Sequence, residues 1–241
     1  MDILRGERLK EPASDAIAFT ASIDADQILL EPVVKINKAH VLMLSKQRII
    51  DESNARMLLA GLQSIPSTLT LDPKLEDVHM NVEYQVTKAI GEEAGGQLNL
   101  AKSRNDQVAA AIRIALRNHL LNVLSGLMDL REVLLNISSE HIETLMPGYT
   151  HLQHAQPITS AHHLLAHHDS LVRDCERLIE VYARVNKSPM GAAALATSSL
   201  PVDRLFVAGI LGFDGLIENS VDAVSSRDFA VETVSHLSLL M

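Results

Sequence analysis

Tryptophan is absent from the 241-residue sequence, cysteine occurs once, and aromatic residues make up only 3%. The lone Cys175 excludes an intrachain disulfide. It falls on an apolar helical stripe, where a thiol reads as a small buried hydrophobe. No apolar run reaches the ~18 residues of a membrane span, and no charged-then-apolar leader opens the chain. The simplest placement is cytoplasmic, with no membrane partner. Runs of Lys or Arg are missing, and 21 basic against 30 acidic residues leave a net charge of −9. That balance argues against a nucleic-acid partner, though a site can still be locally positive. Gly-x-Ser-x-Gly and Ser-x-x-Lys are both absent, so a covalent acyl mechanism has no support. Gly95-Gly96 lacks a following Gly-Lys-Ser/Thr and is no phosphate loop.

Apolar residues are plentiful at 47%, mostly Leu, Ala, Val and Ile. They recur at helical spacing and predict an all-α fold. Residues 1–20 read as an arm. Helical pattern then runs from about Pro32 to Ser64, with a turn or new start at Asp51-Glu52-Ser53. A further helix begins at Glu76-Asp77-Val78-His79 and stops near Gly91 to Gly96. From Val108 through Ile112, Leu116, Leu120, Val123, Leu127, Leu130 and Leu134 to Ile137 the steps are three or four, a rod of about nine turns. Pro157 sits where a first-turn proline would stand. A second rod to Val185 carries Leu164, His168, Leu171, Cys175, Leu178 and Tyr182, flanked by Leu165, Val172 and Ile179. A small-residue loop spans 188–204, and Ser225-Ser226-Arg227-Asp228 offers a capping-box-like start. No segment reads as an alternating strand. We expect an N-terminal helical domain over 1–104 and the long helices of a central bundle over 105–241. The final helical pattern reaches Met241 without a stop signal, so the bundle is expected to be truncated there.

Histidine is dense: seven of eleven lie between His141 and His168. His163 and His167 share an i, i+4 spacing, but no HExxH accompanies them, so no metal is expected. His151 differs, because it sits in a polar break between two rods beside Thr150, Gln153 and Gln156. A histidine there can shuttle protons near neutral pH. The stretch Ser103-Arg104-Asn105-Asp106-Gln107 feeds directly into the first rod. Locally, Asn105 or Asp106 is a helix cap, while Arg104 offers a planar fork for a carboxylate. Proton transfer combined with carboxylate recognition suits β-elimination: a base takes a Cβ proton and polar groups hold the developing charge. That chemistry requires no metal or organic cofactor.

Several of these stretches resemble motifs of one family, the argininosuccinate lyases. Ser103 to Val108 is similar to their SRNDQV. Gly148-Tyr149-Thr150-His151-Leu152-Gln153, with Ala155-Gln156-Pro157, resembles GYTHLQ-x-AQP. Glu76 to His79 with Glu83 resembles EDIH…E, and Phe19 to Ile23 resembles F-x-A-S-I. Ala194 to Arg204 and Asn219 to Phe229 resemble two further segments. The resemblance implies the helical fumarase/aspartase superfamily and a homotetramer whose active sites draw on several subunits. It implies reversible cleavage of argininosuccinate to arginine and fumarate. It also implies that His151 handles a proton and that Ser22, Ser103, Arg104, Asn105 and Thr150 bind substrate, with His79 and Gln153 lining the site. Lys102 stands where the family usually has Arg, and Ser226 where it has Asp. The family's GSS-x-MP-x-KxNP loop does not occur among the 241 residues, so turnover by this chain alone is not expected. Another fumarate-releasing lyase and a crystallin-like scaffold are the alternative readings.

Overall fold

A computed structural model describes Phe19 and residues 22–241. Most of the expected arm, and Thr20 and Ala21 of the F-x-A-S-I-like segment, lie outside the described residues. The chain is mostly helical. After one turn at Ile23–Asp26 come α1 (Leu30–Lys46), α2 (Glu52–Gln63), α3 (Val78–Ile90), the long α4 (Arg104–Glu140), a hairpin of β1 (Leu145–Thr150) and β2 (Gln153–Thr159), α5 (Ser160–Val185), α6 (Arg204–Ile210), α7 (Ser220–Ser225) and α8 (Asp228–Leu240).

The starts and stops follow cap chemistry. Asp51 accepts from the Asn54 amide at 2.7 Å, Asp77 from Met80 at 2.7 Å and Asp203 from Phe206 at 2.9 Å. Each carboxylate thus satisfies one of the orphan N–H groups of a first turn. Gly91, at φ 91°, ends α3 with its amide on Thr87 O. Among the described residues, no helix is long and apolar enough to cross a membrane.

The chain divides into two compact units, one made of 1–112 and 188–224, the other of 113–187 and 225–241. In the first, α1, α2 and α3 bury Val33, Ile36, Leu44, Leu58, Leu62, Val82 and Val86. At roughly 1.5–3 kcal/mol per buried aliphatic side chain, this core is the main stabilising element of the unit. In the second, α5 packs against α8. Arg113 is buried there, donates to the carbonyls of Arg184 and Val185 at 3.1 and 3.2 Å, and lies 3.8 Å from the centre of the Phe229 ring. Its charge therefore meets the electron-rich C-terminal carbonyls of α5.

Three local expectations are corrected. A strand pair does exist: β1 and β2 are antiparallel, with a register shift between Pro147 and Tyr149. Prolines and Gly148 blur its alternation, which is why the sequence reads as a loop. A Cβ on Gly148 would meet the Gln156 carbonyl at 2.7 Å, so the irregularity needs glycine. Pro157 consequently lies in β2, and α5 starts at Ser160, capped by Thr159. At 225–228 no side-chain cap forms at Arg227; Asn219 instead caps α7 through the Val221 and Asp222 amides.

The apolar stripes are covered unevenly. Along α4, Leu120 and Leu127 are buried, but Met128, Leu130, Val133, Leu135 and Ile137 are exposed. On α5, Cys175, Leu178 and Val185 are buried while Leu165 and Ile179 are exposed.

Candidate functional site

In the first unit, the start of α3 and the start of α4 meet through one ion pair. Asp77 caps α3 with one oxygen and accepts Arg104 Nη1 with the other at 2.5 Å. The Ser22 amide donates to Glu76 O at 3.2 Å, and the Ser22 hydroxyl donates to Asp26 Oδ2 at 2.7 Å. Asp26 in turn accepts the Val78 amide at 3.1 Å. Ser22 is therefore not a side-chain cap of its own helical turn. Of the residues expected at a site, Ser22 meets Glu76, Arg104 and His79 meet Asp77, and Ser103 and Asn105 flank Arg104 at the start of α4. Glu76 holds φ 63°, a left-handed conformation uncommon for a non-glycine residue.

The cap of α4 involves Asp106, one of the two expected candidates, together with Ser103. The helix begins at Arg104, with Ser103 before it. Ser103 Oγ accepts from the Asn105 amide at 3.3 Å, and Asp106 reaches back to the Ser103 amide at 3.1 Å. Only the return half of a capping box forms with Asp106, since the Ser103 hydroxyl takes the Asn105 amide; the Asp106 side chain takes part in the cap and the Asn105 side chain does not. Asn105 is left exposed, its Nδ2 donating to Ala194 O at 2.8 Å, and Arg104 is half-buried. Two side chains suited to carboxylate and amide recognition thus stand on a helix N-terminus, itself favourable for anions.

His79 is buried, and neither ring nitrogen makes a well-formed hydrogen bond in the chain. Burial lowers its pKa, opposed by Asp77 and by a weak polar contact with Gln107, and reinforced by Arg104 and Lys102. A buried imidazole so poorly satisfied calls for a water or ligand group. Lys102 Nζ donates to Asn37 Oδ1. Burial lowers its pKa to about 7, while the carboxylates of Asp106 and Glu83 work to keep it charged. His40 Nε2 lies 2.7 Å from Leu100 O; burial, then Lys102, takes its pKa down to about 3. At neutral pH this imidazole is uncharged, and the 2.7 Å contact makes Nε2 its donor.

Sequence reasoning does not single out Asn37, His40, Asp77 or Asp106 as site residues. His40 and Asn37 carry a usable signal, being polar side chains three apart on an otherwise apolar face of α1. Lys102 is visible only as a departure from a family pattern.

In the second unit, Thr150 and Gln153 are the last paired residues of the hairpin, and His151 and Leu152 form its two-residue turn. Both turn residues have positive φ, 52° and 61°. That is the backbone of a type I′ turn, normally the domain of Asn-Gly. Thr150, His151 and Gln153 are exposed, and Leu152 is 97% exposed. A cleft of about 400 Å³ under the hairpin is lined by Thr150, Gln156, His162 and His163 among others. The rings of His163 and His167 pack edge to face at 5.1 Å. Among the described residues no group of three or more metal-ligating side chains occurs.

Residues 8–241 match the family described as Lyase. The sequence is 46% identical to an argininosuccinate lyase of Methanococcoides burtonii and 42% identical to one of Methanocaldococcus jannaschii, covering 100% of this chain in both cases and 50% and 51% of those proteins. The chain thus spans about half the length of the curated relatives it matches. Among solved structures, an EDDS lyase in complex with formate superposes with a TM-score of 0.81 at 30% identity, covering 96% of this chain and 48% of that one. A fumarate lyase:delta crystallin from Brucella melitensis, 19% identical with a TM-score of 0.78 over 98% of this chain and 56% of that one, shares the fold.

Proposed function

We propose that this chain, which belongs to the lyase family, serves an argininosuccinate lyase that cleaves argininosuccinate reversibly to arginine and fumarate. The observation that carries the reading is the first-unit corner, where the Arg104–Asp77 ion pair joins the start of α4, with Ser103 and Asn105, to the start of α3, with His79 and the nearby Ser22. A dicarboxylate needs such fixed cations and donors. Arg104 and Asn105 hold a substrate carboxylate, and Ser22 and Ser103 supply further polar contacts. His79 offers a ring nitrogen to the ligand. Thr150 and Gln153 bind from the hairpin, and His151 handles a proton. In the elimination a base removes the Cβ proton, the electron pair forms the C=C bond, the C–N bond breaks, and the departing nitrogen is protonated. Cationic and amide donors stabilise the negative charge that builds on the carboxylate in the transition state.

Thr150, His151 and Gln153 are exposed around the tip of the hairpin, which supports a site completed by a second copy. The bare apolar stripes of α4 and α5 support assembly into a homotetramer. In that assembly we place 1–104 as the N-terminal domain, 105–241 in the central bundle, and the protein in the cytoplasm. No cofactor or metal enters the scheme.

Incubating the gene product with argininosuccinate and following fumarate absorbance tests the reading. Fumarate release supports it, and its absence from an assembled gene product refutes it. A second reading, another fumarate-releasing lyase, is favoured by the likeness to EDDS lyase; parallel turnover of adenylosuccinate, aspartate and EDDS separates the two.

A further inference from the structure

Asp106 is fully buried, and its carboxylate does more than complete the cap of α4. Oδ1 accepts the Ser103 amide at 3.1 Å, while Oδ2 accepts the amides of Gly191 at 3.1 Å and Ala193 at 2.9 Å. Gly191 and Ala193 both lie in the left-handed region, at φ 82° and 53°. Left-handed residues in a turn aim their amides into a concavity that takes an anion. Here the anion is a side chain of the protein itself. The next residue along that loop, Ala194, offers its carbonyl to Asn105 Nδ2. Ala101, just before Lys102, is also left-handed at φ 60°. Non-glycine residues keep such conformations only where their surroundings enforce them. The far side of the loop is pinned by Arg204, which donates to the carbonyls of Met190 at 3.0 Å and Ile217 at 2.9 Å. Burial pushes the Asp106 carboxyl up, opposed by the three amides and by Lys102.

We infer that Asp106 is a positioning residue: by capturing the Gly191 and Ala193 amides it fixes the 190–194 loop against α4 and so sets the orientation of Asn105. The inference rests on the reading of Asn105 as a substrate contact.

The experiment uses the gene product carrying this sequence with two variants. Asp106→Asn removes the charge and one acceptor oxygen. Gly191→Ala keeps Asp106 but displaces the loop, because its Cβ would stand 2.5 Å from Arg204 Cγ. Amide exchange and steady-state kinetics are measured on both. The inference predicts loss of protection at Gly191 and Ala193 with the α1–α3 core unchanged, since exchange reports local opening. It also predicts a rise of about tenfold in KM for argininosuccinate with kcat nearly retained, the mark of lost uniform binding. Unchanged protection in Asp106→Asn overturns the anchoring. Released amides with an unaltered KM overturn the link to Asn105, as does a loss confined to folded yield. If the unmodified protein turns over no argininosuccinate, the substrate reading fails instead, and the exchange arm still decides whether Asp106 holds the loop.

Discussion

The two regions that carry the candidate site residues are built on opposite principles. Around the start of α4, Arg104 is tied to Asp77, Asp106 is fully buried under three amides, and Lys102 is tied to Asn37. At the hairpin tip, His151 and Leu152 are exposed on left-handed backbone. The first region is pre-organised by charges whose burial would be costly without partners. The second presents its groups outward. In the proposed assembly the fixed dipoles of the first region recognise a charged substrate, and the projecting hairpin reaches a site on another copy.

The largest difference between the regions is expected on replacing each one's central residue. His151→Asn should lower kcat by about 10²–10⁴-fold, the usual loss of a positioned acid–base group. Its melting temperature should stay near that of the parent, because His151 is exposed. Equal losses of kcat and stability would remove the contrast. Arg104→Ala should act mainly on KM, and the orphaned Asp77 should lower stability by about 1–3 kcal/mol in denaturant titration.

Next in size is the pH response of the buried wall. His40 has its pKa depressed to about 3, below the 6.5 of an unfolded chain. Its contribution is present above pH 6.5 and is lost as pH falls toward 3. Stability should therefore drop by up to about 1.4 kcal/mol per pH unit across that window. Lys102, depressed to about 7 from 10.5, adds a gain as pH rises from 7 to 10.5. His40→Gln should flatten the acid limb alone, and urea titrations across the range check this. Leu152→Gly is the smallest effect: relief of left-handed strain should stabilise the hairpin by up to about 1 kcal/mol in thermal melts.

Legibility in the sequence follows the same divide. Helices α1 to α5 are readable because their apolar residues keep a 3.6 period and several of their starts carry Asp or Ser. The hairpin is not, since Pro147, Gly148 and Pro157 interrupt the alternation that marks a strand. The motif residues stand out by type, Arg104 as a planar fork, Asn105 as a cap candidate and His151 by its polar break; the binding role proposed for Asn105 comes from the family resemblance. The buried wall behind them does not stand out. Asn37 stands 65 residues from its partner Lys102, and His40 stands 60 from Leu100. Local spacing carries no signal for such tertiary pairing. Asp106 reads as a helix cap; its hold on Gly191 and Ala193, 85 and 87 residues away, emerges only from the fold.

In the proposed assembly the Arg104–Asn105 wall of one copy works with His151 of another. Arg104→Ala and His151→Asn gene products, the first impaired in KM and the second in kcat, can be dissociated and reassembled as a mixture, and fumarate release then measured at argininosuccinate well below the raised KM, where both parents are nearly silent. Activity should reappear in the mixed assemblies, because some sites combine an intact wall with an intact His151. Mixed assemblies that form and remain inactive would contradict that arrangement.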